Sequence, residues 1–523
     1  MTEPDAASHK AQTTPNTAHI ESTPATAPEE DTGVFRALLC YPVLVALSIY
    51  ANLGAAMYAY DNFALSFCLS MISFQLNYGD LVTLDTGAIY IIPARWQSLW
   101  AALPQVMTGV GAFCSGMLAD RFSRRTNFTL SGLFSTAGIA VIYISSMRGV
   151  FLAGKMINAF GLGLAVATGQ TYVSEIAPTR LRGILLSGYV IGMLAAGYLS
   201  LERLTWLSDS AYKNIIAGGW AWSGIILLFA WVVPESPVYY IREGNVNKAR
   251  KAFERIYPKG TDIDRLLEDA IRTNEEEKAT AALAEGTSYL ECFKGTNWRR
   301  MRIVLYCNGL NQFLGSTFAG QGPYFLTSAG LGPHELKLIT QVFLGLGVPV
   351  TLGIIFLVGK IRRRTALLSG ITLCVVIYLP MGIAGCWPRN TKALWCVGVL
   401  LQLVTLLGVS PTTAPAQTIA AEIPALRLKA KSLAIGFLLN YVFSAIFNVV
   451  MPYLFTPSEG NLGGKTGFIF LATSIIGWMV IYFEVPKTKD ISYDQLDRLF
   501  LHKTPTRRFV SAVAEAGDDD NKT

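Results

Sequence analysis

The chain has 523 residues, 52% of them hydrophobic and 15% charged, with a mean hydropathy of +0.39; this excludes a set of soluble domains and makes it a polytopic membrane protein. The net charge of +7 does not point to nucleic acid, because the basic residues sit mostly in short loops between apolar runs instead of on one continuous face. Eight cysteines without a C-x-x-C spacing and only four histidines give no ground to expect a disulfide framework, a metal site or a cofactor.

Residues 1–34 are rich in Thr, Ala, Pro and Glu, have no apolar core, and read as a disordered cytosolic tail without a secretory signal. Apolar runs follow at 38–68, 92–118, 128–147, 150–173, 184–204 and 215–233, then at 302–327, 336–358, 366–386, 394–418, 432–455 and 466–484. Each reaches the roughly 20 residues that a helix needs to cross hydrocarbon. The fold class is therefore an all-α membrane protein with twelve transmembrane helices, six within 35–233 and six within 302–485. Between them, 234–301 is hydrophilic, and the spacing of Ala249, Phe253 and Ile256 predicts a short amphipathic helix in a bracing linker. Residues 486–523 read as a second cytosolic tail. Loops after runs 2, 4, 8 and 10 hold twelve Lys and Arg against eight in the opposite loops, which places both termini in the cytosol.

Enzyme motifs are missing. GNLGGKT near 460 has Glu459 where a phosphate loop needs its first glycine, and there is no dinucleotide fingerprint or nucleophile elbow. Asn127 opens a formal N-F-T sequon, but on a cytosolic loop. Uphill transport by such a chain must draw on an ion gradient.

The loops carry an internal repeat. GMLADRFSRR at 116–125 is matched by IFLVGKIRRR at 355–364, SEIAPTRLRG at 174–183 by AEIPALRLKA at 421–430, and VVPESP at 232–237 by EVPKTK at 484–489. Parallel duplication of this kind sets two bundles side by side with a substrate site between them. The helix ending at 118 suits the following cations but not Asp120, which predicts a partner for that acid elsewhere. Asp120, Arg121, Arg124, Arg125, Glu175 and Arg182 in one half, with Arg363, Arg364, Glu422 and Arg427 in the other, form the predicted gating clusters.

These motifs in this order resemble the sugar porter branch of the major facilitator superfamily over about residues 36–500. Within it the chain is most similar to fungal maltose (α-glucoside)/proton symporters, through AYD at 59–61, AGK at 153–155 and GNLGGKTGFIF at 460–470. The resemblance implies two six-helix bundles with alternating access. Ionisable groups in mid-membrane are costly, so Asp61 in run 1 and Lys155 in run 4 stand out. By the resemblance Asp61 falls on the acid that carries the proton and Lys155 on its cationic partner, an arginine in bacterial relatives. A sugar site needs amides for hydroxyls and an aromatic face for the ring. Asn311, Gln312, Gln321 and Tyr324 in run 7 and Asn440 and Asn448 in run 11 supply them. NQFLG at 311–315 matches the family's Q-Q-x-x-G with its first glutamine replaced, whereas two further family glutamines in run 5 fall on Val190 and Gly197.

The expected function is proton-coupled symport of a sugar, an α-glucoside or hexose, by a monomer in the plasma membrane. The expected partners are a small-molecule substrate, protons and the lipid bilayer. The alternatives are transport of a less polar metabolite or organic acid, and a sugar sensor that does not transport.

Overall fold

A computed structural model of the protein describes residues 40–84, 87–177, 208–258, 260–284, 288–387, 390–456, 459–486, 499–500, 504–506 and 509. The 1–34 tail, the run at 184–204 with Val190 and Gly197, Arg182, and most of 486–523 lie outside the described residues.

In the first half the apolar runs form α1 (Pro42–Ser70), α3 (Ala94–Arg121), α4 (Arg124–Ile144), α5 (Arg148–Ile176) and α6 (Ser210–Phe229), with a short α2 (Ile72–Tyr78) after α1. Local chemistry sets several ends. Pro42 opens α1, where its missing N–H is no loss, and Ser123 caps α4 by accepting the Thr126 N–H at 3.3 Å. α5 is central, packing on α1, α3 and α4. Glycines make the α3–α5 crossing possible, because a Cβ on Gly163 would collide with the Thr108 carbonyl and one on Gly111 with the Phe160 carbonyl. Asn127 is fully buried and donates to the Ser115 carbonyl at 2.9 Å, so the sequon's amide is a packing group.

One short hairpin interrupts the helices: β1 (Asp80–Leu84) and β2 (Gly87–Ile91) pair antiparallel between α2 and α3, with Leu81 opposite Tyr90. Arg148, at the start of α5, ties this hairpin down through Asp80 at 2.5 Å and the Tyr78 carbonyl at 2.8 Å. Below it Phe74, Tyr78, Trp100 and Phe151 pack ring on ring. This side of the molecule is called the hairpin end, and the opposite side the arginine end.

The linker folds as α7 (Pro237–Arg242), α8 (Val246–Ile256) and α9 (Ile263–Ala284), followed by a tight turn at Tyr289–Phe293 that Ser288 and Glu291 cap reciprocally. Ala249, Phe253 and Ile256 are buried, as their spacing predicts. Tyr257 OH reaches the Ile176 carbonyl at 3.0 Å, while α9 touches the turn Leu426–Leu428 of the second half.

The second half comprises α10 (Gly295–Phe313), α11 (Ser316–Gly320), α12 (Gly322–Ser328), α13 (Pro333–Lys360), α14 (Arg363–Ala384), α15 (Thr391–Leu403), α16 (Ser410–Glu422), α17 (Lys429–Phe455) and α18 (Thr466–Glu484). Run 7 is thus three helical pieces. Gly315 takes a φ of +85°, which favours glycine, and the Leu314 carbonyl freed by the break accepts from Tyr378 OH at 2.7 Å. A wider helical turn at Val404–Val409 joins α15 to α16; the Thr405 carbonyl accepts from both the Ser410 N–H and Ser410 Oγ, the latter at 2.7 Å.

Among the described residues eight helices are long and apolar enough to cross a membrane. α6, the broken α10–α12 segment and α13 occupy three further predicted runs. Large apolar side chains such as Phe113, Met117, Ile144, Leu228, Leu438 and Phe483 are exposed on the outside, as a surface facing lipid requires. The halves meet where α3 packs on α17 and α12 on α1. All eight cysteines are free; Cys68, Cys292, Cys307 and Cys374 are buried packing groups, while Cys40, Cys386 and Cys396 are exposed.

Candidate functional site

Asp61 and Lys155 meet. Lys155 Nζ on α5 lies 2.6 Å from Asp61 Oδ2 on α1, and Asn158 Nδ2, one helical turn further along α5, donates to Asp61 Oδ1 at 2.8 Å. Their side chains are only 5% and 19% exposed for Lys155 and Asp61. Tyr60 beside Asp61 turns the other way and bonds the Ile215 carbonyl of α6 at 2.5 Å, which fixes the rotation of α1. A cavity of about 30 Å³ opens against Asp61, Lys155, Asn158, Cys68 and Phe151. That is room for about two waters and too little to hold a sugar.

Among the described residues, Arg124 and Arg363 at the arginine end each pair with a predicted acid of their own half. Arg124, almost fully buried, joins Glu175 Oε1 at 2.7 Å and the Ala119 carbonyl at 2.8 Å. The backbone N–H groups of Arg124 and Arg125, at the start of α4, donate to Glu235 at 3.1 and 3.4 Å, an acid suiting the positive end of a helix. The Arg124 guanidinium also lies 5.5 Å from the Tyr239 ring centroid. Burial, with Glu243 next, pushes the Tyr239 phenol up to about 12, so it stays a neutral donor to the Phe122 carbonyl at 2.8 Å. Arg121 stacks on Phe122 at 5.7 Å. In the second half Arg363 pairs with Glu422, Arg364 donates to the Tyr482 carbonyl at 2.6 Å, and Arg427 reaches Glu291 at 3.5 Å. Asp120 lies in the last turn of α3, its side chain outside what the structure describes, as is all of Arg182.

The polar residues of run 7 divide. Gln321 Nε2 donates to Asn448 Oδ1 on α17 at 3.0 Å, and Asn448 in turn donates to the Ser444 carbonyl at 2.8 Å. Gln312 accepts from Thr317 across the helix break at 2.6 Å, and Asn311 from Thr413 on α16 at 3.4 Å. Asn440 is half-buried on α17. Tyr324 instead accepts from Gln97 Nε2 of the first half at 2.9 Å. Close by, Ser98 Oγ donates to the Val449 carbonyl at 2.8 Å, so both hydrogen bonds join the halves at the hairpin end.

Several participants were not singled out from sequence. Asn158 lies three residues beyond Lys155, and that spacing could have flagged it. Glu235 stands in the repeated VVPESP. In the first half Tyr58 OH donates to Gln105 Oε1 at 2.9 Å, and Gln105 Nε2 to Asn62 Oδ1 at 2.9 Å. This chain links α1 to α3 one turn from Gly109, which faces the Tyr441 ring of α17.

The comparisons with known proteins agree with this architecture. The family model for sugar (and other) transporters matches residues 47–500. The chain is 31% identical over 490 residues to the MFS transporter fmqE of Aspergillus fumigatus, covering 90% of this chain and 88% of that one. It is 27% identical over 507 residues to the general alpha-glucoside permease of Saccharomyces cerevisiae, covering 94% and 80%. Among solved structures it resembles the proton:xylose symporter XylE bound to 6-bromo-6-deoxy-D-glucose, with a TM-score of 0.65, 18% identity, and 88% and 99% of the two chains covered. The chain therefore belongs to the sugar (and other) transporter family of the major facilitator superfamily, and is a membrane transporter rather than an enzyme.

Proposed function

We propose that this transporter is a proton-coupled symporter of a sugar, an α-glucoside or hexose, working by alternating access between two bundles of six helices. The observation that carries the coupling is the Lys155–Asp61–Asn158 cluster, a carboxylate held at 2.6 Å from a cation inside one half, beside a cavity of water size. A buried acid with a separable cation can take up and release a proton as the halves move. Support for a polyhydroxylated cargo comes from the amides on both sides of the contact between the halves: Gln312, Gln321 and Asn448 on one, Gln105 and Asn62 on the other. The general alpha-glucoside permease among the relatives points the same way.

The arginine end faces the cytosol on this reading, with both termini, and the linker helices brace the two bundles there. Among the described residues, Arg124–Glu175 and Arg363–Glu422 at that end each stay within one half, while Gln97–Tyr324 and Ser98–Val449 join the halves at the hairpin end. This is the pattern of an inward-facing state, in which the charge clusters act as latches that re-form when the inner side closes. The chain works as a monomer in the plasma membrane. A second reading keeps the machinery and changes the cargo to a less polar metabolite or organic acid. It is favoured by Val190 and Gly197, two run 5 positions whose side chains cannot bind a hydroxyl.

The deciding experiment is uptake by proteoliposomes across a substrate panel, with and without an imposed pH gradient. Accumulation of maltose or glucose only when a proton gradient is imposed is the expected result. A panel in which sugars neither enter nor drive proton flux, while an apolar metabolite does, replaces the first reading with the second.

A further inference from the structure

Phe500, Thr504, Thr506 and Phe509, a strap that follows α18 in sequence, lie against the start of α10. Arg299, in the second turn of α10, opens its guanidinium fork onto this returning strap, Nη1 donating to the Thr504 carbonyl and Nη2 to Thr506 Oγ1, each at 2.8 Å. The same guanidinium lies 5.4 and 5.7 Å from the ring centroids of Phe500 and Phe509, which are buried and meet edge to face. Arg300 lies 4.6 Å from the Phe500 centroid, and Arg302 pairs with Glu484 at 3.4 Å. Two guanidiniums, Arg299 and Arg300, thus meet the strap, and Arg302 beside them holds the end of α18.

The chemistry of the Arg299 contact is incomplete in one respect. Both of its hydrogen bonds to the strap end on neutral oxygens, although a guanidinium fork binds a multiply charged oxyanion far better. Burial holds Arg299 below its ordinary value, with Glu484 opposing, so an added negative charge would be welcome there. Thr506 is half-buried and follows the exposed Pro505, which has no N–H to donate, in the sequence KTPTRR at 503–508. Phosphorylation requires Thr506 to leave this seat and enter a kinase cleft.

We propose that Thr506 is a phosphorylation site whose phosphate locks the strap onto Arg299 and holds α10 in place. A serine/threonine kinase would transfer the γ-phosphoryl group of a nucleoside triphosphate. The Oγ1–P bond forms, the bond from that phosphorus to the β,γ-bridging oxygen breaks, the nucleoside diphosphate leaves, and the hydroxyl proton passes to the kinase's base. The added dianion then meets the Arg299 fork with charge-assisted bonds. α10 carries Asn311 and Gln312 and ends at the Gly315 break, so a locked strap slows the movement of the helix that bears the amides. This rests on the reading that the arginine end is cytosolic, where kinase and nucleotide are found.

The test uses the full chain, purified in detergent, with phosphothreonine installed at 506 during translation. Hydrogen exchange in the peptide holding Thr504 and Thr506 is expected to slow about tenfold relative to the unmodified protein. Arg299→Gln should abolish that slowing, and Arg299→Lys, which keeps the charge but not the fork, should restore part of it. Exchange that is unchanged or faster with phosphate, or slowing that survives Arg299→Gln, overturns the proposal. So does the absence of phosphate at Thr506 in protein recovered from its own cells. Exchange reads the lock whichever way the protein faces, and protease cleavage of the strap in sealed vesicles of known orientation tests the cytosolic reading separately.

Discussion

Arg124 Nη2 lies 2.7 Å from Glu175 Oε1, and the contact is made twice in the chain, because Arg363 and Glu422, at matching places in the repeated loop motifs, pair in the same way. The two copies differ in burial: 2% and 8% exposed for Arg124 and Glu175, against 31% and 24% for Arg363 and Glu422. Removing one partner of a buried pair strands the other charge, at about 3–5 kcal/mol, whereas a solvated pair contributes about 0–1 kcal/mol. Arg124→Ala should therefore cost far more thermal stability than Arg363→Ala, read as melting of the purified protein in detergent. Equal losses would show that burial is not what separates the two latches.

Latch and coupling functions should also come apart. Asp120→Ala removes an acid from the last turn of α3, where it opposes the partial negative charge of the helix end. Surface expression should stay near that of the parent protein while transport stops. Normal transport by a well-expressed Asp120→Ala protein would remove Asp120 from the gate.

Asp61→Asn removes the charge from the coupling cluster but keeps a side chain that can bond Asn158 and Lys155. Accumulation against a gradient should vanish while exchange of labelled for unlabelled substrate persists. The measurement is a paired assay, uphill uptake and counterflow in the same proteoliposomes. A mutant that still concentrates substrate in response to a pH gradient places the proton elsewhere.

The sequence made the charged part of this site legible and the amide part much less so. Asp61 and Lys155 stand out because a charge in an apolar run has few tolerable explanations, and Arg124, Glu175, Arg363 and Glu422 because their motifs repeat. Tyr58, Gln105 and Asn62 are a different case: neutral polar residues are common in helices, and whether they meet depends on the rotation of α1 against α3, which no periodicity reports. Tyr324 shows the same limit. Its place in run 7 suggested a sugar face, yet its hydroxyl binds Gln97 from the other half, a contact 227 residues away in sequence. The hairpin at 80–91 escaped notice because its alternation is short and sits between two membrane runs.

Tyr324→Phe tests the contact that joins the halves at the hairpin end. It removes the acceptor for Gln97 and leaves the ring in place, and one net hydrogen bond contributes about 1 kcal/mol, a roughly fivefold shift between two states. Hydrogen exchange in α12 should rise by about that factor, with folding unchanged. Exchange that does not move would mean that packing of α3 on α17 holds this end shut without Tyr324.

Gln312 carries the cargo prediction. Its amide oxygen is occupied by Thr317 at 2.6 Å, which orients the side chain across the break and leaves the amide nitrogen to donate to a ligand oxygen. Gln312→Ala should raise the apparent KM for the sugar about tenfold, the value of a hydrogen bond or two lost to hydroxyls that stay buried. Asn448→Ala should act differently, since Asn448 accepts from Gln321 and its loss frees that amide as well as removing its own. Its KM effect should exceed that of Gln321→Ala, and the double mutant should be less than the sum of the two, because the residues act as one unit. The measurement is initial-rate uptake over a range of substrate concentrations, normalised to protein at the surface. Unchanged KM in both Gln312→Ala and Asn448→Ala would move sugar recognition away from the second half altogether.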